Sequence, residues 1–233
     1  MENQETKSGE YTSPSVGAIK IDGKFYNASP IGSGDFHFLR NADYGEGFRQ
    51  GTYGEQLTLL NQACLNQNKD SLKYIVDLVE DSWISGDTAL LGRKDDILVM
   101  NNPKIKGGRI HINPEELEDL LIGSKKLYKG VEISSCGNVG RISRKIIKKG
   151  YNKSSDEIRG SLHPYIAFLT LNPDSLSQID GILKIIGKPV YVQAPLNGKV
   201  RVPDFGVGVN GLEVDGYYST EFFSDRYSFG VHK

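Results

Sequence analysis

Glycine interrupts this sequence 27 times, and most of those interruptions fall between short apolar runs. Tight turns joining many short strands produce that distribution, because glycine alone adopts a positive φ without steric cost. Helical periodicity replaces strand periodicity at only a few places, so the expected class is α+β. We expect a mixed sheet, a helical hairpin over 52–84 and a βαβ-like segment in the second half. The 233 residues are enough to bury a core without a disulfide or metal staple. Residues 1–16 are too polar to join that core and read as a flexible tail, leaving 17–233 as one α+β domain.

Local signals place the elements. Asp22-Gly23 is a two-residue hairpin turn between Ala18–Ile21 and Lys24–Tyr26. The aromatic, glycine-punctuated stretch from Pro30 to Gly51 reads as a loop packed over a core edge, in which Asp35 and His37 would share one strand face. Thr52-x-x-Glu55 has capping-box spacing and opens a helix that buries Leu57, Leu60, Ala63 and Cys64. A second helix starts at Asp70, turns Leu72, Ile75, Val76, Val79 and Trp83 inward and ends at Gly86. Asp77, Glu80 and Asp81 form its solvated face. Asn113-Pro114-Glu115-Glu116 starts a short helix that stops by Gly123. The runs 131–133 and 139–147 read as strands about a Cys136-Gly137-Asn138 turn. The apolar run Tyr165–Leu171 reads as a buried strand, followed by a helix over 176–186 and a strand over 189–192. The last forty residues read as antiparallel strands.

Charge supplies the one outward-pointing signal. Between Lys125 and Lys153 lie nine Lys or Arg residues and a single acid, Glu132, in a chain whose net charge is −1. Arg141, Arg144, Lys145, Lys148 and Lys149 are the candidate binding residues, since cations displace counterions from nucleic-acid phosphates. Catalytic patterns are weaker. Cys136 sits among cations that favour its thiolate, and paired with His163 it would make a cysteine-dependent hydrolase. The four histidines show no metal-ligand spacing, and neither a metal nor a cofactor is expected. Gly206-Val207-Gly208-Val209-Asn210-Gly211 matches G-x-G-x-x-G, but the alternating Leu212–Asp215 follows where a helix is required, so it reads as a turn cluster. Two cysteines, a polar N-terminal stretch and no long apolar run point to the cytoplasm and away from a membrane.

Gly47-Phe48-Arg49, followed by Thr52-x-x-Glu55 and Leu57, resembles the aromatic-Arg-x-x-Thr-x-x-Glu start of a helix in C-type-lectin-like domains related to formylglycine-generating enzymes. Those families carry Leu-Pro where this chain has Gln50-Gly51. Their aromatic last strand is comparable to Tyr227–Val231. The wider set Gly47–Arg49, Trp83–Thr88, Asn102-Pro103, Gly108–Ile110 and Ser228–Val231 also resembles small archaeal proteins. The resemblance implies that the chain ends pair in one sheet while long loops form a binding surface. It carries no catalytic residue, because the cysteine pair of the formylglycine enzymes has no matching positions. The function expected is a non-catalytic intracellular binding or interaction module with a protein or nucleic-acid partner. Polyanion contact through 125–153 and a Cys136 hydrolase are the alternatives.

Overall fold

The computed structural model describes residues 18–66, 70–127, 130–147, 150–151, 164–172, 182, 190–208, 211–215 and 226–232. The chain is α+β. It opens with the hairpin β1 (Ile19–Ile21) and β2 (Lys24–Tyr26), closed by Asp22 and Gly23 at φ 47° and 82°. Both positive angles are what a type I′ turn demands. Next come β3 (Ile31–Gly34), α1 (Phe36–Asn41) and β4 (Phe48–Gln50), where the sequence suggests a loop. Asp35 accepts from the Phe38 N–H at 2.8 Å and so caps α1; it does not share a strand face with His37.

The helical hairpin follows as α2 (Tyr53–Leu65) and α3 (Asp70–Asp81). Thr52 and Glu55 form the reciprocal capping box that their spacing predicts. Helix α2 is buried well beyond one stripe, with Tyr53, Leu57, Leu59, Leu60, Ala63 and Cys64 inside. Each fully buried leucine there contributes about 1.5–3 kcal/mol over its exposed state. Helix α3 turns Leu72, Ile75, Val76 and Val79 inward, as its periodicity predicts. It stops before Trp83, however, which begins β5 (Trp83–Ser85). Ladder partners on both sides win Trp83–Ser85 for the sheet, and the Trp83 ring lies beside Gly206.

Strands β6 (Thr88–Gly92), β7 (Asp96–Asn101), β8 (Lys104–Lys106) and β9 (Arg109–His111) lead to α4 (Pro114–Leu121), capped by Asn113. Then come β10 (Lys125–Leu127), β11 (Val131–Ile133) and β12 (Val139–Ser143). Residues Arg144–Ile146 form a 3₁₀ turn, so β12 is shorter than the strand expected to 147. The remaining strands are β13 (Gly150–Tyr151), β14 (Val190–Gln193), β15 (Val200–Arg201), β16 (Asp204–Gly208), β17 (Gly211–Asp215), β18 (Arg226–Ser228) and β19 (Gly230–His232).

Residues 164–170 are helical, which corrects the strand expected over Tyr165–Leu171. Thr170 Oγ1 donates back to the Ile166 carbonyl at 2.8 Å, and the Asn172 N–H reaches the Ala167 carbonyl. Every side chain from 164 to 170 is buried, so the segment lacks the polar face that reveals a helix in sequence. The expected βαβ unit therefore loses its first strand. Its helix lies outside the described residues, apart from buried Ile182. Parallel pairing does occur, between β14 and β17 and between β18 and β5.

Three sheets and one separate ribbon result among the described residues. A four-stranded sheet runs β1-β2-β19-β4, joining the first hairpin to the last strand. A seven-stranded mixed sheet runs β13-β14-β17-β16-β5-β18-β3, and a six-stranded antiparallel sheet runs β10-β11-β12-β7-β6-β15. The main core joins α2, α3 and residues 165–171 to one face of the six-stranded sheet, through Leu90, Ile97, Val99, Val131 and Ile142. Its other face meets α4 through Leu91, Leu98, Val139, Leu117 and Leu121. Gln56 locks α2 to the β18–β19 junction: its Nε2 donates to the Phe229 carbonyl and its Oε1 accepts the Phe229 N–H. No helix among the described residues is long and apolar enough to cross a membrane.

Candidate anion-contact surface

The basic segment supplies three strands to the six-stranded sheet and a 3₁₀ turn after them, and its arginines engage partners that sequence does not display. In register, Glu132 lies opposite Arg141 and Arg141 opposite Leu98, which places Arg141 on the face that α4 covers. Its Nε donates to Glu132 at 3.0 Å and its Nη1 to Glu118 of α4 at 2.9 Å. Glu118 also accepts from Arg93 Nη1 at 2.6 Å, and Arg93 Nε donates to Asp96 at 2.6 Å. The result is an alternating chain, Asp96–Arg93–Glu118–Arg141–Glu132, with one more acid than base. Burial works against the Arg141 charge, but Glu132 and the neighbouring carboxylates outweigh it and hold its pKa above the usual value. Arg141 is thereby neutralised within the fold.

Arg144 does a different job. Its Nε donates to the Arg93 carbonyl at 2.5 Å, its Nη2 to the Pro195 carbonyl at 2.6 Å, and its own N–H to the Asp95 carbonyl at 3.0 Å. Gly92 closes the same knot: its N–H reaches the Lys199 carbonyl and its carbonyl accepts the Gly198 N–H. A Cβ at Gly92 would lie 2.1 Å from the Leu196 carbonyl oxygen and 2.8 Å from Arg144 Nη2, so only glycine permits the approach. Three segments, 92–95, 144–146 and 195–199, are pinned together by one guanidinium.

That pin gathers Lys94, Lys145 and Lys199, all exposed, at one end of the six-stranded sheet. None of the three has an ion-pair partner among the described residues, and Asp95, next to Lys94 in the chain, is an exposed acid of the same segment. Of the sequence candidates, then, Lys145 stays outward while Arg141 and Arg144 are engaged internally. Lys148 and Lys149 lie outside the described residues.

A second set of cations lies away from the basic segment and does not stand out by charge density. Lys104-Ile105-Lys106-Gly107-Gly108-Arg109-Ile110-His111 forms the β8–β9 ribbon, with Gly107 and Gly108 at φ 57° and 71°. A Gly-Gly pair between alternating runs marks a two-residue hairpin, and that is the sequence signal by which it could have been found.

The remaining chemistry is sparse. Cys136 is exposed, with Sγ 3.2 Å from Ser134 Oγ, and that contact together with the Asn138 amide lowers its pKa. His163, the base that the hydrolase reading pairs with it, lies outside the described residues. Among the described residues no group of three or more His, Cys, Asp or Glu side chains is placed to hold a metal. Across Gly206–Gly211, β16 and β17 pair antiparallel, strand to strand, so no helix N-terminus follows the last glycine.

Two buried carboxylates near the start of α2 differ sharply. Burial pushes the Glu55 pKa up, but hydrogen bonds from Arg49, Lys24 and the Thr52 N–H prevail and hold it at about 2. For Asp87 burial prevails, raising its pKa to about 6 despite Arg40 and Arg49. Arg40 Nη1 lies 2.9 Å from Asp87 Oδ1, yet its N–H is aimed at the Pro103 carbonyl, so the contact is electrostatic and not a directed hydrogen bond. Compared with known proteins, the chain matches no family model, no curated protein and no solved structure.

Proposed function

We propose that this chain is a non-catalytic binding module that contacts a nucleic-acid backbone through Lys94, Lys145 and Lys199. The observation that carries the reading is the Arg144 pin. Its guanidinium is spent on the Arg93 and Pro195 carbonyls, and each of the three segments it joins presents an exposed lysine without an ion-pair partner among the described residues. Like charges gathered on one surface cost the fold self-repulsion, and an anionic partner relieves it. Lysine suits such a role, because an ammonium meets phosphate as a compact charge without needing a fixed geometry.

Binding to mixed-sequence duplex DNA over a salt series tests the reading. Neutralising all three (Lys94→Gln, Lys145→Gln, Lys199→Gln) should lower the log–log salt slope by about 2 to 3, close to 0.9 for each phosphate no longer neutralised. Arg141→Gln should leave that slope unchanged, because its charge is already matched. A triple variant that binds with the parental slope would refute the assignment.

A further inference from the structure

The β8–β9 ribbon stands apart from every larger sheet. Its register pairs Lys104 with His111, Ile105 with Ile110 and Lys106 with Arg109. Because side chains alternate across a strand, Lys104, Lys106, Arg109 and His111 share one face and the two isoleucines the other. Ile110 anchors the inner face in a small cluster with Phe36, Ala89 and Val202. The base is held as well: the Asn102 N–H donates to the Asp87 carbonyl at 2.9 Å, and Arg40 donates to the carbonyl of buried Pro103. The ribbon is therefore a fixed arm with a cationic outer face.

That face is arranged against the stability of the hairpin. Like charges directly opposite one another destabilise an antiparallel pair, whereas opposite charges stabilise it. Lys106 and Arg109 are such an opposed pair, both exposed, and no carboxylate bridges them among the described residues. Lys104 forms an ion pair with Glu116 at 3.0 Å, through side chains more than half exposed, and that carboxylate also interacts at longer range with Lys106. Protection of the ribbon edges from pairing with other chains is the plain alternative, and lysine is the usual charge in that role, but it does not require like charges directly opposite one another. Opposed cations that no carboxylate bridges among the described residues fit an external anion instead.

We propose that the β8–β9 ribbon is an arm that lays Lys104, Lys106 and Arg109 against the phosphates bordering a groove of duplex nucleic acid. The major groove of B-DNA, about 12 Å wide, admits a two-stranded ribbon. Residues two apart along a strand are separated by roughly 6.6 Å, close to the spacing of neighbouring phosphates. The ribbon follows the end of β7, whereas Lys94 precedes its start, so the arm and the pinned lysines lie at opposite ends of that strand. The arm uses none of the pinned lysines, and its role stands if they bind nothing.

The test uses the full chain and a mixed-sequence DNA duplex, with anisotropy read between about 50 and 200 mM salt. Lys106→Gln with Arg109→Gln should make the log–log slope shallower by about 2, both in the parental chain and in the Lys94/Lys145/Lys199→Gln background. The charge-preserving pair Lys106→Arg with Arg109→Lys should keep the parental slope. Thermal melting should show no loss of stability in the Gln pair, since its removal of opposed charges relieves repulsion. An unchanged slope in a folded Gln pair would overturn the proposal. So would polyglutamate that, at matched charge, displaces the duplex and loses affinity equally on substitution, which would assign the arm to an acidic protein. A shallower slope with the ribbon pair alone, and none with the pinned lysines, would keep the arm and remove the lysine surface.

Discussion

Replacing Arg226 by alanine is expected to cost about 3–5 kcal/mol of stability, the usual penalty for breaking a buried ion pair by removing one partner. The Arg226 side chain is 2 % exposed and that of Asp204 9 %, and Arg226 Nε donates to Asp204 Oδ2 at 2.7 Å. The pair spans three strands. Arg226 in β18 lies opposite Trp83 of β5, and Asp204 in β16 lies opposite Ser85 of the same strand. It thus ties the neighbours of β5 to each other across the centre of the seven-stranded sheet. Truncation removes the guanidinium that offsets the desolvation of a buried carboxylate. The double replacement Arg226→Met with Asp204→Leu removes both charges and should be near neutral or stabilising, as apolar substitution of whole buried pairs often is. Urea denaturation of the three chains decides the matter. A single variant within about 1 kcal/mol of the parent would show the pair to be unimportant.

Glu55→Gln should remove about 3 kcal/mol at neutral pH, the free energy that corresponds to a carboxyl held near 2 against an ordinary value of 4.5. Glu55 Oε2 accepts the Thr52 N–H at 2.8 Å and Arg49 Nη1 at 2.9 Å, while Oε1 accepts Lys24 Nζ at 2.7 Å and Arg49 Nη2 at 3.0 Å. One side chain therefore completes a helix cap and joins β2 and β4 to α2. Its pKa is depressed in the folded chain, so the unfolded chain binds the proton more tightly. The stabilisation is complete above about 4.5 and is lost as pH falls through about 2. Asp87 has the opposite sign. With its pKa raised from 3.8 to about 6, the folded chain holds the proton more tightly, and stability declines as pH rises through that interval. Stability measured against pH should lose most of its acid limb below 4.5 in Glu55→Gln. A variant with the parental acid limb would contradict this role for Glu55.

Local rules made much of the fold legible. The Asp22-Gly23 turn, the Thr52 and Asn113 caps and the inward stripe of α3 are settled by residues within a few positions of one another. Where tertiary context decides, the pattern fails. Tyr165–Leu171 is short, apolar and rich in large side chains, a description that fits a buried helix as well as a strand. Trp83 continues the helical spacing of α3, yet pairing with β16 and β18 claims it. The site divides in the same way. A count of cations reveals the basic segment but not what consumes it, because Glu118 comes from a different helix and the acceptors of Arg144 are carbonyls, which every residue possesses. Lys94 and Lys199 join Lys145 only through that three-dimensional knot.

The most direct test is lysine acetylation of the full chain, mapped residue by residue with and without saturating duplex DNA. Lys94, Lys145 and Lys199 should become protected together, while Lys73, exposed on the outer face of α3, keeps its rate. Equal rates at the three pinned lysines with and without DNA, under conditions where the duplex is bound, would contradict binding through them.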